Sequence, residues 1–399
     1  MKCQKELFDI EEDVSYLNGA LMSPLLKSSV EAGIEGMKKK MRPYSLTEGD
    51  FFEPGDIIRK EFADIINCKE PERIAILPSV SYGMSILSKN IKLDQRKSIL
   101  VVGEEFPSNY YPWKKATDEQ GGILTVIKAP SVLENRGELW NQQILAAIDE
   151  NTKAVCIGNI HWTCGTIFNL KEIRKRTKEA GALLIIDASQ TIGAFPFSLQ
   201  EVEADAIIVA GWKWLLGPYS IALGYFGPAF DNSETIEENW INKKNSNQFD
   251  KLLYYQDQYI PSAQRHNVGE FSNFTLLPMM INGIRTAKKW DALQIQEYCA
   301  DLIRPFVPEF QKLGCWIEHE NYRTSHVFGI LLPDGTSIEA LKQELSKNKV
   351  YISVRGNFLR ISPNVYNDEN DIEKLLISVR NVIEHITTFN NEKINYGLH

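Results

Sequence analysis

Two apolar, strand-like runs of the sequence each lead to one side chain that could do chemistry. Residues 182–190 (ALLIIDASQ) contain Asp187, and residues 204–218 (ADAIIVAGWKWLLGP) contain Lys213. A lysine amine can hold an aldehyde as a Schiff base, and a carboxylate can keep a pyridine nitrogen protonated so that the ring accepts electrons. The pair therefore predicts a site for pyridoxal 5'-phosphate (PLP), with Lys213 and Asp187 as its catalytic groups.

The elements around these two residues would bring them together. Both runs are continuously apolar rather than alternating, which is typical of parallel strands covered by helices on both faces. Ligands of such sheets bind beyond the carboxyl ends of the strands, where Asp187 and Lys213 occur. The neighbouring Trp212 and Trp214 would partly desolvate the lysine, which lowers the pKa of its ammonium group and favours the nucleophilic amine. A turn cap and a surface lysine explain each residue alone but not the pair.

The phosphate of such a cofactor needs hydrogen-bond donors, and one segment could offer them. Free backbone N–H groups and the helix dipole favour anions at the amino terminus of a helix. Residues 77–91 (LPSVSYGMSILSKNI) place a proline and serines ahead of an apolar-periodic helix. We predict that Val80, Ser81 and Tyr82 bind the phosphate. An ordinary serine-capped helix is the alternative.

Length and composition agree with a large enzyme and disfavour some partners. The chain has 399 residues, of which 43% are hydrophobic, so it can fill a sizeable core. A net charge of −8 argues against a nucleic-acid partner, and we interpret the basic residues 37–42 (MKKKMR) as a solvated helix face. Residues 1–14 lack the apolar core of a secretory signal, and no apolar run is long enough to cross a membrane. We therefore expect no membrane partner and a cytoplasmic location.

The cysteines and histidines show no metal-binding pattern. Six cysteines are scattered without a CxxC pair, and six histidines occur without an HExxH motif. A P-loop and a GxGxxG fingerprint are also absent from the sequence. We therefore expect PLP as the cofactor and no metal ligands.

The order of the predicted elements indicates an α/β fold. Strand-like runs at 98–106 and 153–160 alternate with helix-like segments such as 170–182, which is the βαβ pattern of a mainly parallel sheet flanked by helices. From about Thr286 the pattern changes to a long helix, short strands and a final helix. We predict that this last part forms a smaller α+β domain.

Several motifs of the sequence together resemble the class V aminotransferase family of fold-type I PLP-dependent enzymes. This family also contains cysteine desulfurases, kynureninases and isopenicillin N epimerase-like proteins. The resemblance covers nearly the whole chain and includes the motifs YLNGALMSP (16–24), SVSYG (79–83), EEFPSNYYPW (104–113), HWTCGT (161–166), QRHNVGEFSN (264–273) and VRGNFLRISPNVYN (354–367). It implies an N-terminal segment at 1–30 that lines the active site and joins the small domain, a large PLP-binding domain at 31–285 and a small C-terminal domain at 286–399.

The resemblance also implies roles for single residues around the cofactor. Lys213 would bind the cofactor's aldehyde, Asp187 would pair with the pyridine nitrogen, and Gln190 would hydrogen-bond the phenolic oxygen of the ring. Phe106 would stack on the ring, with a core phenylalanine as the alternative. Thr163 would lie in the loop beside the cofactor.

Substrate and partner contacts follow from the same resemblance. Asn18 would line the substrate pocket, and Arg360 would grip the substrate carboxylate, a task that suits a planar, bidentate guanidinium. We interpret Arg355 as a surface or structural residue, since most arginines are exposed. The segment with Ser272 and Asn273 would reach the phosphate of a partner subunit, which implies a homodimer with active sites at its interface.

Two positions depart from the family pattern. Many relatives have Ser or Thr three residues before the lysine and His directly before it, whereas this chain has Ala210 and Trp212. Phosphate binding would then depend more on Ser81 and Tyr82, and proton transfer would fall mainly to Lys213. Trp212 would stack or pack near the cofactor.

The reaction itself stays open between related outcomes. Residues 354–360 contain no cysteine where desulfurases carry their nucleophile, so a persulfide mechanism is not expected. We expect an aminotransferase-like enzyme that binds an amino acid, exchanges Lys213 for the substrate amine and removes the α-proton. An epimerase or a carbon–sulfur or carbon–carbon lyase shares these early steps, and a non-catalytic binding protein that kept the fold is a further alternative. The sequence does not identify the side chain of the substrate.

Overall fold

Strands and helices alternate along most of the chain. The computed structural model describes residues 1–355 and 358–396. The strands are β1 (Ser15–Tyr16), β2 (Ile74–Leu77), β3 (Ser98–Val102), β4 (Ile123–Ile127), β5 (Thr152–Gly158), β6 (Leu183–Asp187), β7 (Ala206–Ala210), β8 (Ala222–Phe226), β9 (Trp316–Ile317), β10 (Phe328–Leu331), β11 (Val350–Tyr351), β12 (Ser353–Arg355) and β13 (Phe358–Ile361). The α-helices are α1 (Lys27–Lys40), α2 (Gly49–Ile65), α3 (Val80–Asn90), α4 (Tyr111–Gln120), α5 (Arg136–Ala147), α6 (Leu170–Ala180), α7 (Leu199–Val202), α8 (Leu276–Trp290), α9 (Ala292–Ile303), α10 (Val307–Lys312), α11 (Ile338–Lys347) and α12 (Glu369–Tyr396).

The central sheet has seven strands in the order β2-β8-β7-β6-β5-β3-β4. The pairs from β7 to β4 are all parallel, whereas β8 runs antiparallel to both β7 and β2. This arrangement confirms the predicted α/β fold with a mainly parallel sheet. Because β6 and β7 are parallel neighbours, their carboxyl ends lie at the same edge of the sheet.

Both faces of this sheet are buried, which explains why its strands are apolar at successive positions. In β6, Leu184 and Ile186 belong to one hydrophobic cluster, while Ile185 belongs to a second cluster on the opposite face. Successive side chains of a strand point to opposite faces, so each cluster takes every second residue. Helices cover both clusters, as expected for a parallel sheet.

A smaller antiparallel sheet lies in the C-terminal part of the chain. Its strand order is β12-β13-β10-β9, and it packs with α10, α11 and α12 around a separate hydrophobic cluster that includes Leu359 and Leu375. The N-terminal segment joins this part, because β1 pairs with β11 in parallel and Asn18 forms a bridge with Ser362. The N-terminal segment therefore packs beside strands from the C-terminal part of the chain.

Helix α8 crosses the boundary that the sequence analysis sets between residues 285 and 286, since it runs without a break from Leu276 to Trp290. The division into domains stays a prediction. In the part of the chain that the structure describes, we find no helix with the length and apolar character needed to span a bilayer.

Candidate active site

A cavity of about 450 Å³ opens beyond the carboxyl ends of β6 and β7, and both Asp187 and Lys213 line it. Asp187 is the last residue of β6, and Lys213 follows the last residue of β7 by three positions. The volume is within the range of small-molecule sites, which is roughly 300–1,000 Å³. The two groups that the sequence singled out thus share one cavity.

Lys213 is a buried amine. Its residue is 5% exposed, and in the part of the chain that the structure describes its Nζ has no hydrogen-bond or ion-pair partner. Burial lowers the pKa of Lys213 to about 8, because the charged form is desolvated; Asp187 opposes this shift and Arg360 adds to it. Nζ lies 5.4 Å from the ring centre of Phe106 and 5.1 Å from that of Trp212. At neutral pH the fraction of neutral, nucleophilic amine is therefore much larger than for an exposed lysine.

Asp187 is fixed by the turn that follows β6. Its Oδ1 accepts a hydrogen bond from the backbone N–H of Ser189 at 3.0 Å, and Ser189 Oγ accepts one from the backbone N–H of Ala210 at 3.0 Å. The ends of β6 and β7 are thereby tied together. Burial raises the pKa of the Asp187 carboxyl above its ordinary value, against the lowering effect of the Ser189 hydrogen bonds and of Lys213. A cationic group that fills the cavity beside Asp187 would reverse this shift.

The two tryptophans around Lys213 have different environments. Trp212 lines the cavity, and its ring centre lies 5.0 Å from that of Tyr219. Trp214 is 2% exposed and packs in the core, where its Nε1 donates a hydrogen bond to Gln190 Oε1. The expectation that both rings flank the lysine therefore differs from the structure, because the backbone turns after β7 and directs only Trp212 to the cavity.

Helix α3 points its amino terminus at the cavity. Ser79 is the N-cap, and its Oγ accepts a hydrogen bond from the backbone N–H of Tyr82 at 3.1 Å. Val80 and Ser81 line the cavity, and the hydroxyls of Ser79 and Ser81 lie 2.9 Å apart. The N–H of Tyr82 donates to the cap, so the backbone N–H donors available to the cavity are those of Val80 and Ser81.

Gln190 lines the cavity with a fixed amide orientation. Its Oε1 accepts from Trp214 Nε1 at 2.9 Å, and its Nε2 donates to the Ala20 carbonyl at 3.1 Å. The second N–H of Nε2 stays available as a donor. Phe106, which also lines the cavity, is held in an edge-on contact with Trp162 at 5.4 Å between ring centres.

Arg360 lies behind Trp162 in a chain of hydrogen bonds. Its Nη1 donates to the Trp162 carbonyl at 3.2 Å, and its Nη2 donates to Ser353 Oγ at 3.0 Å. Ser353 Oγ in turn donates to Asn18 Oδ1 at 2.8 Å. Burial and the like charge of Arg355 lower the pKa of Arg360 to about 10, so it stays charged at neutral pH.

Other predicted residues lie away from the cavity of this single chain. The hydroxyl of Thr163 is hydrogen-bonded to His161 Nδ1 at 3.0 Å. Asn273 Oδ1 accepts from the backbone N–H groups of Thr275 and Leu276, so it caps α8, and Ser272 is buried beside it. Thr163 therefore bonds within its own loop, and Ser272 and Asn273 precede α8.

Glu105, which was not expected from the sequence, lines the cavity next to Phe106. Its carboxylate accepts hydrogen bonds from the backbone N–H groups of Phe106 at 2.7 Å and Gly158 at 3.4 Å. Burial raises the pKa of Glu105 to about 7, and the nearby Asp187 adds to this shift. The available signal was its position near the carboxyl end of the predicted strand 98–106, where polar residues meet the cavity.

The cavity fits PLP on the residues it presents. An unpartnered buried amine, a carboxyl held at the end of the neighbouring strand and a helix amino terminus face one space. The missing hydroxyl at Ala210 is offset by serines in the lining, including Ser79, Ser81 and Ser108. Lys213 would hold the cofactor's aldehyde, Asp187 its ring nitrogen and the start of α3 its phosphate.

Comparison with known proteins places the chain among related enzymes. Residues 47–233 match the family model described as aminotransferase class-V. An uncharacterized aminotransferase, YcbU, of Bacillus subtilis is 23% identical over 80% of this chain and 81% of that protein. A probable cysteine desulfurase of Methanothermobacter thermautotrophicus is 29% identical over 42% of this chain and 40% of that protein.

The fold is shared with a solved structure over almost its full length. The apo structure of a cysteine desulfurase from Thermococcus onnurineus covers 96% of this chain and 99% of that chain with a TM-score of 0.81 and 18% identity. This likeness confirms the predicted fold type I, and the family match confirms PLP as the predicted cofactor. The resemblance inferred from the motifs is therefore confirmed over residues 47–233, which match the class-V aminotransferase family.

Proposed function

We propose that the protein is a PLP-dependent aminotransferase that acts on an amino acid. The observation that carries this proposal is the pairing of Lys213 and Asp187 across one cavity at the ends of β6 and β7. The lowered pKa of Lys213, about 8, suits an amine that must act as nucleophile and then as base. The family match at residues 47–233 supports the same chemistry.

Lys213, Asp187 and Arg360 have separate roles in the proposed reaction. When bound, PLP supplies an electron sink for the substrate's α-carbon. Lys213 would hold the cofactor through its aldehyde, and its Nζ would take the α-proton of the substrate. Asp187 holds a proton at the ring nitrogen, and Arg360 holds the substrate carboxylate, so that the α-carbon faces the lysine.

The remaining site roles are proposals that the geometry supports to different degrees. The lining positions of Val80 and Ser81 support phosphate contacts, and those of Phe106 and Trp212 support stacking on the cofactor. Gln190 Nε2 offers a donor for the phenolic oxygen. The backbone N–H of Tyr82 already donates to Ser79 Oγ. Tyr82 would therefore bind the phosphate only if the Ser79 side chain moved away from this N–H.

Four further residues have roles away from the cavity in this proposal. Asn18 would orient the substrate arginine through Ser353, and Thr163 would hold the loop that carries Trp162. Ser272 and Asn273 would meet the phosphate of a partner subunit in a homodimer. The cytoplasmic location and the domain division at residues 30 and 285 are proposals of the same kind.

A carbon–sulfur lyase is the second candidate, favoured by the desulfurase relatives. It would use the same lysine and the same α-proton removal but would expel a group from the β-carbon. Residues 354–360 contain no cysteine, and their Gly356 and Asn357 lie outside the described residues. Cys164 is 1% exposed and is hydrogen-bonded to His161 and Thr166, so it does not face the substrate space.

A single-turnover experiment separates these outcomes. The purified protein is loaded with PLP and mixed with single amino acids in the absence of an amino acceptor, and Lys213→Ala is treated in parallel. One equivalent of 2-oxo acid per site, together with loss of the lysine-dependent visible absorption, supports an aminotransferase. Continuous release of sulfide, ammonia or an inverted amino acid supports a lyase or an epimerase instead. Bound PLP with no conversion of any amine supports the non-catalytic alternative.

A further inference from the structure

Arg355 and Arg360 lie on the same face of a two-stranded hairpin. Strands β12 and β13 are antiparallel, with Ser353 opposite Arg360 and Arg355 opposite Phe358. Directly opposed residues share a face, and so do residues two apart along one strand. The two arginines are therefore diagonal neighbours, a spacing of roughly 7–8 Å between such positions.

Both guanidinium groups converge on one aromatic ring that lines the cavity. The guanidinium carbon of Arg355 lies 5.4 Å from the ring centre of Trp162, and that of Arg360 lies 5.7 Å from the same ring. Trp162 is fixed by a hydrogen bond from its Nε1 to the Glu104 carbonyl at 2.6 Å. Both cations therefore lie next to a ring that lines the cavity of Lys213, although neither arginine lines the cavity itself.

No carboxylate neutralises this pair within the described residues. Neither guanidinium has an acidic group within 4 Å there, whereas exposed arginines such as Arg304 form ion pairs with neighbouring aspartates. Arg355 donates from Nη1 only to the Val354 carbonyl, and the buried Nε of Arg360 has no partner. Two partly desolvated cations side by side repel each other, and a ligand with two negative groups would remove that cost.

We infer that Arg355 is a second carboxylate-binding residue and that the substrate is a dicarboxylic amino acid. Arg360 holds the α-carboxylate, and Arg355 holds the carboxylate at the end of the side chain. Arg355 is then a specificity residue rather than the surface or structural residue that its sequence context indicated. This inference rests on the proposed function, since it names the substrate class of the same site.

Binding of two non-reactive ligands of equal length tests the charge requirement. Calorimetric titration of the PLP-supplemented protein compares glutarate with glutaramate, in which an amide replaces one carboxylate. We expect glutarate to bind about tenfold or more tightly, because a charge-assisted bond is lost in the amide. Arg355→Gln should abolish this difference by weakening glutarate far more than glutaramate, and Arg355→Lys should retain part of it.

Control variants separate a specific site from bulk charge. Arg360→Gln should weaken both ligands, whereas Arg304→Gln, which removes an exposed arginine elsewhere, should weaken neither. Equal binding of glutarate and glutaramate to the unmodified protein would overturn the inference. An equal loss for both ligands in Arg355→Gln, or a matching loss in Arg304→Gln, would overturn it as well.

A reactive pair gives a second measurement. The kcat/KM for L-glutamate should exceed that for L-glutamine by about tenfold or more, and Arg355→Gln should bring the two values together. If the protein forms no lysine-dependent visible band with PLP, the proposed function fails, and this is seen before any ligand is added. If the band forms but neither ligand pair shows discrimination, only the substrate class fails.

Discussion

Trp214 Nε1 donates a hydrogen bond to Gln190 Oε1 at 2.9 Å, which joins the turn after β7 to the turn after β6. The bond determines which end of the Gln190 amide faces the cavity, since Oε1 is used by the indole and Nε2 by the Ala20 carbonyl. An amide held in this way can only donate to a cofactor oxygen. Trp214, a core residue, thus determines whether the Gln190 side chain donates or accepts in the site.

Trp214→Phe should change both stability and the bound cofactor. Loss of the buried hydrogen bond should lower the free energy of unfolding by about 1–3 kcal/mol, because Gln190 Oε1 is left without a donor. The visible absorption maximum of the PLP complex should also shift, since the Gln190 amide can then rotate. Trp113→Phe is the matched control, because Trp113 is also fully buried and donates to Asn109 Oδ1 at 3.0 Å. A similar spectral shift in the control would contradict this account.

The reactivity of Lys213 should rise with pH around its lowered pKa of about 8. The ordinary pKa of 10.5 applies to the unfolded chain, so burial makes the folded chain release this proton about two pH units earlier. Between these values the unfolded chain binds more protons, and the free energy of unfolding should increase with pH. Covalent capture of PLP by the cofactor-free protein, followed by absorbance, should accelerate up to about pH 8 and then level off.

Lys213→Arg serves as the control for this titration. Its guanidinium stays charged and cannot form the Schiff base, so the visible band should be lost at every pH. A midpoint of capture near the ordinary value of 10.5 in the unmodified protein would contradict the role of burial.

Glu105 should make the cofactor-free protein less stable as the pH rises. Burial raises the pKa of this carboxyl from 4.5 to about 7, so the folded chain binds more protons than the unfolded chain between those values. The contribution to stability is therefore present below about pH 4.5 and is lost as the pH rises through 7. In urea unfolding, Glu105→Gln should be more stable than the unmodified protein at pH 8, and this difference should be smaller at pH 5. Glu104→Gln, at the exposed neighbouring position, should show no such difference.

Ser353→Ala should weaken substrate binding with little effect on the chemical step. The hydroxyl links Arg360 Nη2 to Asn18 Oδ1, so its loss frees the guanidinium to change orientation. We expect KM for the amino acid to rise about tenfold with kcat nearly unchanged. Ser353→Thr keeps the hydroxyl and should restore most of the affinity. A fall in kcat with constant KM would assign the hydroxyl a different role.

The central pair could be predicted from the sequence because its placement depends on local patterns alone. Asp187 and Lys213 each follow a continuously apolar run, and parallel strands bring their carboxyl ends to one edge. The mainly parallel sheet follows from the same patterns, and the structure confirms it. The motifs around these residues also indicated the family whose model matches residues 47–233.

Other features depend on contacts that local patterns do not contain. Two serines near the start of α3 could cap it, and only the structure shows that Ser79 takes the N–H of Tyr82. The positions of Ser353 and Arg355 relative to Arg360 depend on the register of a hairpin, because a slip of one residue would move each side chain to the other face. Glu105 reaches the cavity through a turn after β3 rather than along the strand.

The pairing of the N-terminal segment with β11 and with Ser362 also bears on how the protein folds during synthesis. The backbone N–H of Ala20 donates to Ser362 Oγ across 342 residues of sequence, and the next residue, Leu21, lines the cavity. A ribosome that has synthesised only the central sheet has not yet supplied the partners that hold this segment. Contacts of such long sequence separation form late in folding. The contacts that hold Leu21 at the cavity therefore require Ser362 to have been synthesised, so this wall of the cavity is completed after the central sheet.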